Sequence, residues 1–258
     1  SGLEVRSAGP SPTPSSSSQS VEIDQVVGGE IIGDDNGAFL RVRRDYPIEH
    51  LHGAFTLSAA LAGRPEHLAL VGNDDTLGDC DLHKAVFIDT ETTGLSGGSG
   101  TVAFLVGLGR FTGDGLFRLD QCFMRDYDDE EAMLHYLADA FRECTTIISF
   151  NGKSFDLPLL RTRFIQQRIP CRLDGLLHLD LVHTARRLWK RRLADCSLGN
   201  LEREVLSVER HGDVPSYLIP QLWLDYLYSR DARPLEGVFY HHRYDILSMV
   251  TLVGLLAE

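Results

Sequence analysis

Residues 84–95, with the sequence KAVFIDTETTGL, give the main indication of the fold class. A short apolar run ends directly in acidic residues, which is typical of a buried central strand whose carboxyl end opens on a functional edge. Asp89 and Glu91 are two residues apart, so on a strand both side chains point to the same face. Since an unpaired carboxylate pair is costly there, we expect a divalent cation to compensate it. The alternative is a strand-end aspartate that only caps the next turn.

The sequence around this strand predicts an α/β protein with a mixed sheet flanked by helices. TVAFLVGLGRF (101–111) and GLFRLDQCFM (115–124) are two strands joined by a tight turn, and TTIISF (145–150) is another buried strand. EEAMLHYLADAFREC (130–144) is an amphipathic helix, and the remainder is mostly helical, ending in a helix from about Leu235 to Ala257. The meander followed by helices predicts one main domain.

The domain boundaries follow from composition. Residues 1–20 end in SPTPSSSSQS and are predicted to be a disordered tail. Residues 21–82 contain short apolar stretches broken by turns and are predicted to form a small N-terminal appendage. We assign the main domain to residues 83–258, since a chain of 258 residues that is 43% hydrophobic can bury a large core.

The formal net charge of −12 argues against a nucleic-acid partner, but the charge is uneven. Residues 145–203 carry eleven basic and five acidic residues, a net charge of +6. The predicted helix LVHTARRLWKRRL (181–193) offers phosphate contacts and a possible stacking platform, Trp189. The alternative is a solvated helix face with Trp189 turned inward. The basic candidates are Arg186, Arg187, Lys190, Arg191 and Arg192.

Cysteine spacing and hydropathy indicate the compartment. The five cysteines are scattered and never form a C-x-x-C pair, so neither a disulfide framework nor a zinc site is predicted. No apolar run approaches the roughly 20 residues of a membrane span, and no signal peptide is recognisable. We therefore expect a cytoplasmic protein with no membrane partner.

Two further segments contain acidic residues that could serve either the site or the structure of a helix. In SFNGKSFDLPLL (149–160), Asp156 lies in the first turn of a helix, where an acid also favours the helix N-terminus. In YHHRYDILSMV (240–250), His241 precedes Asp245 by four residues, so both lie on one helix face. Each segment alone has a structural explanation, a helix cap or a core histidine.

Taken together, Asp89, Glu91, Asp156 and Asp245 occur in the order strand end, helix start and helix. In FIDTETTGL, SFNGKSFDLPLL and HHRYDILSM, over about residues 83–256, the chain resembles the DEDD family of 3′-to-5′ exonucleases in the ribonuclease H-like superfamily, and within it the YprB-like group. The resemblance implies a ribonuclease H-like, mixed five-stranded sheet. It also implies two Mg²⁺ or Mn²⁺ ions on the four carboxylates, one activating water and one stabilising the leaving 3′ oxygen.

The general base implied by the resemblance has three candidates. The tyrosine branch of the family places tyrosine four residues before the last aspartate, and the histidine branch places histidine five before it. Here His241 is four residues before Asp245 and Tyr240 is five before it, so the residue types are exchanged. Spacing and the YprB-like group favour His241, with His242 and Tyr240 as alternatives.

The resemblance also implies a substrate site. Thr92, Thr93, Gly94 and Leu95 resemble the loop that holds the terminal nucleotide, Asn151 a polar contact and Phe155 a packing contact, although Phe155 also fits a core position. The implied substrates are single-stranded DNA or RNA 3′ ends, released as 5′-mononucleotides. Relatives often continue into helical repeats, so we expect a possible protein partner through a C-terminal extension.

Two other function classes compete with this interpretation. DTETT resembles the nucleophile loop of haloacid dehalogenase-like phosphatases, but Glu91 replaces the second aspartate and no G-D-x-x-x-D motif follows. The other alternative is a nucleic-acid-binding module without turnover, against which the complete set of four carboxylates and a histidine argues.

Overall fold

The computed structural model describes residues 20–94 and 100–258. Its strands are β1 (Glu30–Asp34), β2 (Gly37–Pro47), β3 (Leu51–His52), β4 (Phe55–Thr56), β5 (Ala85–Thr92), β6 (Ala103–Phe111), β7 (Leu116–Phe123), β8 (Thr146–Ser149) and β9 (Leu177–Asp180). Its α-helices are α1 (Ile23–Val27), α2 (Ser58–Ala62), α3 (Pro65–Gly72), α4 (Glu130–Arg142), α5 (Asp156–Gln166), α6 (Leu181–Trp189), α7 (Leu198–Leu201), α8 (Ile219–Ser229) and α9 (Leu235–Ala257). A π-helical turn, Glu202–Leu206, follows α7 directly.

The main sheet has the strand order β1-β2-β7-β6-β5-β8-β9. β5 is antiparallel to β6 and parallel to β8, and β9 is parallel to β8, so the mixed α/β class is confirmed. β5 to β9 supply the expected five strands. The count of five is nevertheless wrong for the whole sheet, which contains seven strands within the described ranges.

The two additional strands come from residues 30–47, in the predicted appendage. β2 pairs with β7 from Leu40 opposite Phe123 to Pro47 opposite Leu116, and β1 folds back on β2. Phe39 and Leu40 are buried, so this hairpin is part of the main core as well as of the sheet. Apolar side chains of β2 pack against those of β7, and this packing stabilises the hairpin as part of the sheet.

Helices cover both faces of the sheet, and β5 is buried between them. Val86 and Ile88 join the cluster that includes α4, α5 and α8, whereas Phe87 joins the cluster that includes most of α9. The alternation of a strand then directs Asp89 and Glu91 to the α9 face and Thr90 to the opposite face. In the described ranges, no helix is both long and apolar enough for a bilayer crossing.

Candidate active site

The carboxyl end of β5 provides two of the predicted acidic residues. Asp89 is paired with Gly107 of β6, and a register irregularity follows between Glu91 and Thr92. Such irregularities bend a strand and re-aim its side chains. The side chain of Asp89 is 19% exposed, so its carboxylate lies at the boundary between core and cleft.

Asp156 joins these residues from the opposite face of β5. It is the first residue of α5 and is buried. Its Oδ1 accepts a hydrogen bond of 2.5 Å from the hydroxyl of Thr90, the residue between the two β5 acids. We define Asp89, Glu91 and Asp156 as the β5 wall of the site.

The loop before α5 is held by Asp180, at the end of β9. Its carboxylate accepts backbone hydrogen bonds from Asn151 at 2.7 Å and from Lys153 at 2.9 Å. A Cβ at Gly152 would lie 2.4 Å from the Ser149 hydroxyl oxygen, so glycine is required where the loop crosses β8. Asp180 therefore anchors the loop that delivers Asp156.

His241 and Asp245 of α9 form the opposing α9 wall. His241 Nε2 lies 3.4 Å from Asp245 Oδ2, as expected for residues one helical turn apart. One ligand atom from each of Glu91, His241 and Asp245 lies within 4.8 Å of the others. The fold thus brings two segments that are distant in sequence, β5 and α9, to one point.

The orientation of His241 is set by Asp213, which the sequence analysis missed. His241 Nδ1 donates to Asp213 Oδ1 at 2.9 Å. In the neutral ring this arrangement leaves the lone pair on Nε2, which faces Asp245 and lies 3.3 Å from the Ser216 hydroxyl oxygen. The nitrogen that faces the acidic cluster is therefore the one able to accept a proton or a cation.

His242 lies on another side of α9 and has no exposed surface. Gln121 Nε2 donates to its Nδ1 at 3.0 Å, so its Nε2 carries the proton and donates to the Asp89 carbonyl oxygen at 3.2 Å. Burial lowers the pKa of His242 to about 4 and keeps the ring neutral. A Cβ at Gly107 would lie 2.5 Å from His242 Cε1, so the ring occupies space that only a glycine leaves free. His242 thus supports the backbone at Asp89.

Tyr240, the third candidate base, contacts a loop instead. Its hydroxyl accepts a hydrogen bond from the backbone N–H of His211 at 3.2 Å. Among the three candidates, His241 is the residue grouped with Glu91 and Asp245.

Arg210 is a second residue that sequence reasoning missed. Its guanidinium pairs with Asp245, donates to Glu202 at 2.7 Å from Nε, and lies 3.2 Å from Asp213. Burial disfavours its charge, but Asp245 and Glu202 outweigh that effect and raise the pKa of Arg210. The α9 wall therefore contains its own cation. No local motif marks Arg210, because it lies in a loop without periodicity.

The electrostatics of the β5 wall differ from those of the α9 wall. Burial, followed by the charges of Asp245 and Asp156, raises the pKa of Asp89 and of Glu91 well above the usual range. Burial also raises the pKa of Asp156 to about 6, against the opposing effect of the Thr90 hydrogen bond. The charge of Arg210 opposes these shifts at Asp89 and Glu91 but does not outweigh them, so the ionised β5 wall is only partly compensated.

The donor set fits a divalent metal. Carboxylate oxygens suit Mg²⁺ and Mn²⁺, and Mn²⁺ also accepts imidazole nitrogen. Glu91, His241 and Asp245 present their donor atoms to one point, and Asp89 and Asp156 are electrostatically coupled to the same cluster. The predicted ligands were the four carboxylates, and the geometry adds His241 as a further donor.

A cavity of about 550 Å³ adjoins the α9 wall. It combines the proton-accepting side of His241 with the guanidinium of Arg210 and the exposed Arg203. A cavity of this size and polarity is suited to a polar ligand. Its lining residues are Ser197, Leu198, Gly199, Glu202, Arg203, Val208, Arg210, Asp213, Val214, Pro215, Ser216, His241 and Asp245.

Those predicted substrate contacts that belong to the described part of the chain lie around the β5 wall. Thr93 donates its backbone N–H to Val102 and accepts a hydrogen bond from Val102 on its hydroxyl, and the Thr92 hydroxyl donates to the Gly94 carbonyl. Leu95 lies outside the described residues.

Phe155 and Asn151 flank Asp156. Phe155 immediately precedes α5 and is 52% exposed, so it is not a core residue. Asn151 has a φ of 69°, in the left-handed region that asparagine tolerates. Both residues lie in the loop that presents Asp156.

The basic helix α6 presents its charges to solvent. Arg186, Arg187 and Lys190 are exposed, and Arg187 donates to the Val71 carbonyl oxygen at 2.7 Å. Trp189 packs against the core cluster that includes α9. The inward alternative for Trp189 is therefore the observed one, and the exposed side of the helix is basic.

A meander of β5 to β7, parallel β8 and β9, and an acidic cluster at the end of the central strand define a ribonuclease H-like domain. The chain belongs to the RNase_H superfamily, whose family model matches residues 86–257. This membership places it among nuclease-type, nucleic-acid-acting proteins and contradicts the haloacid dehalogenase-like alternative.

Similar proteins agree with this assignment. The "Uncharacterized protein YprB" of Bacillus subtilis (strain 168) is 32% identical over 216 residues, which are 81% of this chain and 50% of that protein. The chain therefore spans about half the length of this relative. The family B DNA polymerase from the hyperthermophilic archaeon Pyrobaculum calidifontis matches with a TM-score of 0.51 and 17% identity, over 66% of this chain and 24% of the polymerase. That likeness supports the fold.

Proposed function

We propose that the chain is a metal-dependent 3′-to-5′ exonuclease of the DEDD family that hydrolyses single-stranded DNA or RNA to 5′-mononucleotides. The observation that carries the proposal is the convergence of the β5 wall with His241 and Asp245 at one end of the sheet. Neighbouring carboxylates with raised pKa values in a cleft are typical of catalytic sites.

His241 acts as the general base. Its Nε2 accepts a proton from the attacking water, and Asp213, bonded to Nδ1, orients the ring and stabilises the resulting imidazolium. Arg210 holds Asp245 in place from the other side. The α9 wall thereby positions both the base and an acidic ligand.

Asp89, Glu91, Asp156 and Asp245 would hold two divalent ions, Mg²⁺ or Mn²⁺. When bound, these ions supply activation of water and stabilisation of the leaving 3′ oxygen. Phe155 packs against the terminal base from its exposed position, and Thr92, Thr93, Gly94, Leu95 and Asn151 contact the terminal nucleotide. The exposed basic face of α6 attracts the phosphates of the strand.

The test uses single-stranded DNA and RNA of one sequence, labelled separately at the 5′ and 3′ ends, with Mn²⁺, Mg²⁺ or EDTA. We expect metal-dependent release of mononucleotides from the 3′ end, and a ladder of shortening 5′-labelled products. Binding without release would favour a binding module, and internal cleavage would indicate an endonuclease.

A matched pair of variants assigns the activity to this site. Glu91→Gln removes one charge from the β5 wall and should abolish release. Glu204→Gln makes the same chemical change at an exposed position and should leave release unchanged. Equal activity of Glu91→Gln and the unaltered protein would contradict the proposal.

A further inference from the structure

A second cleft lies across the loop of residues 207–215 from the candidate active site. It has a volume of about 290 Å³ and is lined by residues of β2, α9 and this loop, among them Arg44, His211, Glu236, Tyr240 and Arg243. Arg210 of the same loop lines the first cavity, whereas His211, the next residue, lines this one. We refer to it as the Arg44–Arg243 cleft.

The two arginines of the cleft differ from their neighbours in β2 and β7. Arg41 pairs with Glu30, Arg43 with Asp120, and Arg118 with Asp45. In the described part of the chain, neither Arg44 nor Arg243 forms an ion pair with a carboxylate. Glu236 lines the cleft from an exposed position without pairing with either guanidinium.

Both guanidinium groups are held in place although their charges repel. Arg44 and Arg243 line the same cleft. Burial, followed by the charge of Arg243, lowers the pKa of Arg44. Arg44 Nη1 donates to Gln121 at 3.1 Å, and the Arg243 guanidinium lies 5.5 and 5.8 Å from the ring centres of Tyr240 and Tyr244. Two fixed like charges without a counterion form a pre-organised anion site.

We propose that the Arg44–Arg243 cleft binds a phosphate group. Guanidinium groups donate paired hydrogen bonds that match phosphate oxygens, and a single anion between them would relieve their repulsion. The identification of this phosphate as part of a substrate strand, upstream of the 3′ end, rests on the proposed function. The shared loop places the two sites close enough for one strand to be considered as the ligand of both.

The cleft is also linked to the β5 wall. Arg44 donates to Gln121, Gln121 donates to His242, and His242 donates to the Asp89 carbonyl oxygen. Because Arg44 belongs to this chain of hydrogen bonds, its substitution would disturb two sites at once. Arg243 is therefore the better position for a test.

The binding test is done in EDTA, so that no turnover occurs. The probe is a fluorescein-labelled oligothymidylate, titrated by anisotropy at several salt concentrations. For Arg243→Gln we expect about tenfold weaker binding and a salt slope reduced by about 0.7, the value for one phosphate contact of a single strand. Arg118→Gln, which loses the same charge from an existing ion pair, should change the affinity less than about twofold by the same reasoning.

Equal weakening in both variants would reduce the effect to general electrostatics. That result, or unchanged binding in Arg243→Gln, would overturn the assignment of the cleft to a strand phosphate. Far-UV circular dichroism and thermal unfolding check that the variants fold. Arg243→Lys retains the charge without the paired donors and should bind with intermediate affinity.

A second measurement separates strand phosphate from free phosphate. Inorganic phosphate and thymidine 5′-monophosphate are added separately, and the Tm of the unaltered protein is measured. An increase in Tm that is absent in Arg243→Gln is the response sought. Such an increase identifies a free-phosphate ligand, and a response to the oligonucleotide alone identifies a strand phosphate. Absence of both responses overturns the site. The binding test needs no turnover. If the protein binds at the cleft but has no nuclease activity, the proposed function is wrong and the phosphate-binding site remains.

Discussion

The two walls of the candidate active site solve the same electrostatic problem differently. The β5 wall gathers Asp89, Glu91 and Asp156, whose pKa values are all raised. The α9 wall also contains a half-buried acid, Asp245, but the Arg210 guanidinium contacts it. One wall thus has a guanidinium in direct contact with its acid, whereas the other is only partly compensated by Arg210 and would be stabilised by a bound cation.

This contrast assigns separate tasks to the walls. Charge repulsion among the β5 acids favours whatever cation enters, so this wall provides the driving force for metal capture. The ion pairs and hydrogen bonds of Arg210 and Asp213 fix the α9 wall beforehand, so His241 need not reorganise.

Asp89→Asn should abolish metal-dependent nuclease activity while raising the Tm in EDTA, because it removes one charge from a cluster of acids that Arg210 compensates only in part. Activity on end-labelled DNA and RNA and thermal unfolding are the measurements. Asp139→Asn, on an exposed part of α4, serves as the control. It should leave activity unchanged and should not raise the Tm, because it only breaks a surface ion pair with Arg142. An active Asp89→Asn protein would remove the β5 wall from the mechanism.

His241→Ala should lower kcat by about 10²- to 10⁴-fold, the usual contribution of a general base. If the ring only accepts the proton, Mn²⁺ binding measured by isothermal titration calorimetry should change little. A large loss of Mn²⁺ affinity would make His241 a metal ligand, as its grouping with Glu91 and Asp245 permits. Nearly full activity would exclude both roles.

Arg210→Gln should destabilise the metal-free protein by about 3–5 kcal/mol, since it leaves the buried Glu202 and the half-buried Asp245 without their cation. Urea unfolding in EDTA and in Mn²⁺ measures the free energy of unfolding. We expect Mn²⁺ to restore part of the loss through Asp245. Arg142→Gln, which breaks a surface ion pair, should cost less than about 1 kcal/mol. A loss in Arg210→Gln that Mn²⁺ leaves unchanged would show that Arg210 and the metal do not share Asp245.

The smallest expected effect is a pH-dependent difference in Tm that Asp156 of the β5 wall causes. The pKa of Asp156 is raised to about 6 in the folded protein, so its favourable protonated state is lost as pH rises through 6. Asp156→Asn mimics that protonated state. The Tm of Asp156→Asn minus that of the unaltered protein, both in EDTA, should therefore be near zero at pH 4 and positive at pH 7. Buried histidines titrate in both proteins and cancel in this difference. A difference independent of pH would contradict the raised pKa.

Features that are local in sequence could be predicted. The apolar run before Asp89 marks the central strand, and the four-residue spacing of His241 and Asp245 marks a shared helix face. The family resemblance added Asp156, whose position in a first helical turn has an ordinary structural explanation. The superfamily and the mixed sheet were thus within reach of the sequence.

Features that depend on long-range contacts could not be predicted. Asp213 and Arg210 lie in a loop whose composition says nothing about its partners. The strand β9 is four residues long, too short for an alternating pattern, and β2 joins the sheet only through its pairing with β7. The turn between β1 and β2 was visible, but a local pattern does not identify the strand on which a hairpin packs.

The close packing of His242 against Gly107 also limits how this protein can evolve. A methyl group at position 107 would lie 2.1 Å from Ile246 Cδ1 and 2.5 Å from the His242 ring. Any lineage that acquires a larger residue at 107 must therefore first accept a smaller one on α9, and a smaller residue at 242 removes the hydrogen bond to the Asp89 carbonyl. Relatives with a residue larger than glycine at position 107 are therefore expected to lack the histidine at position 242 as well.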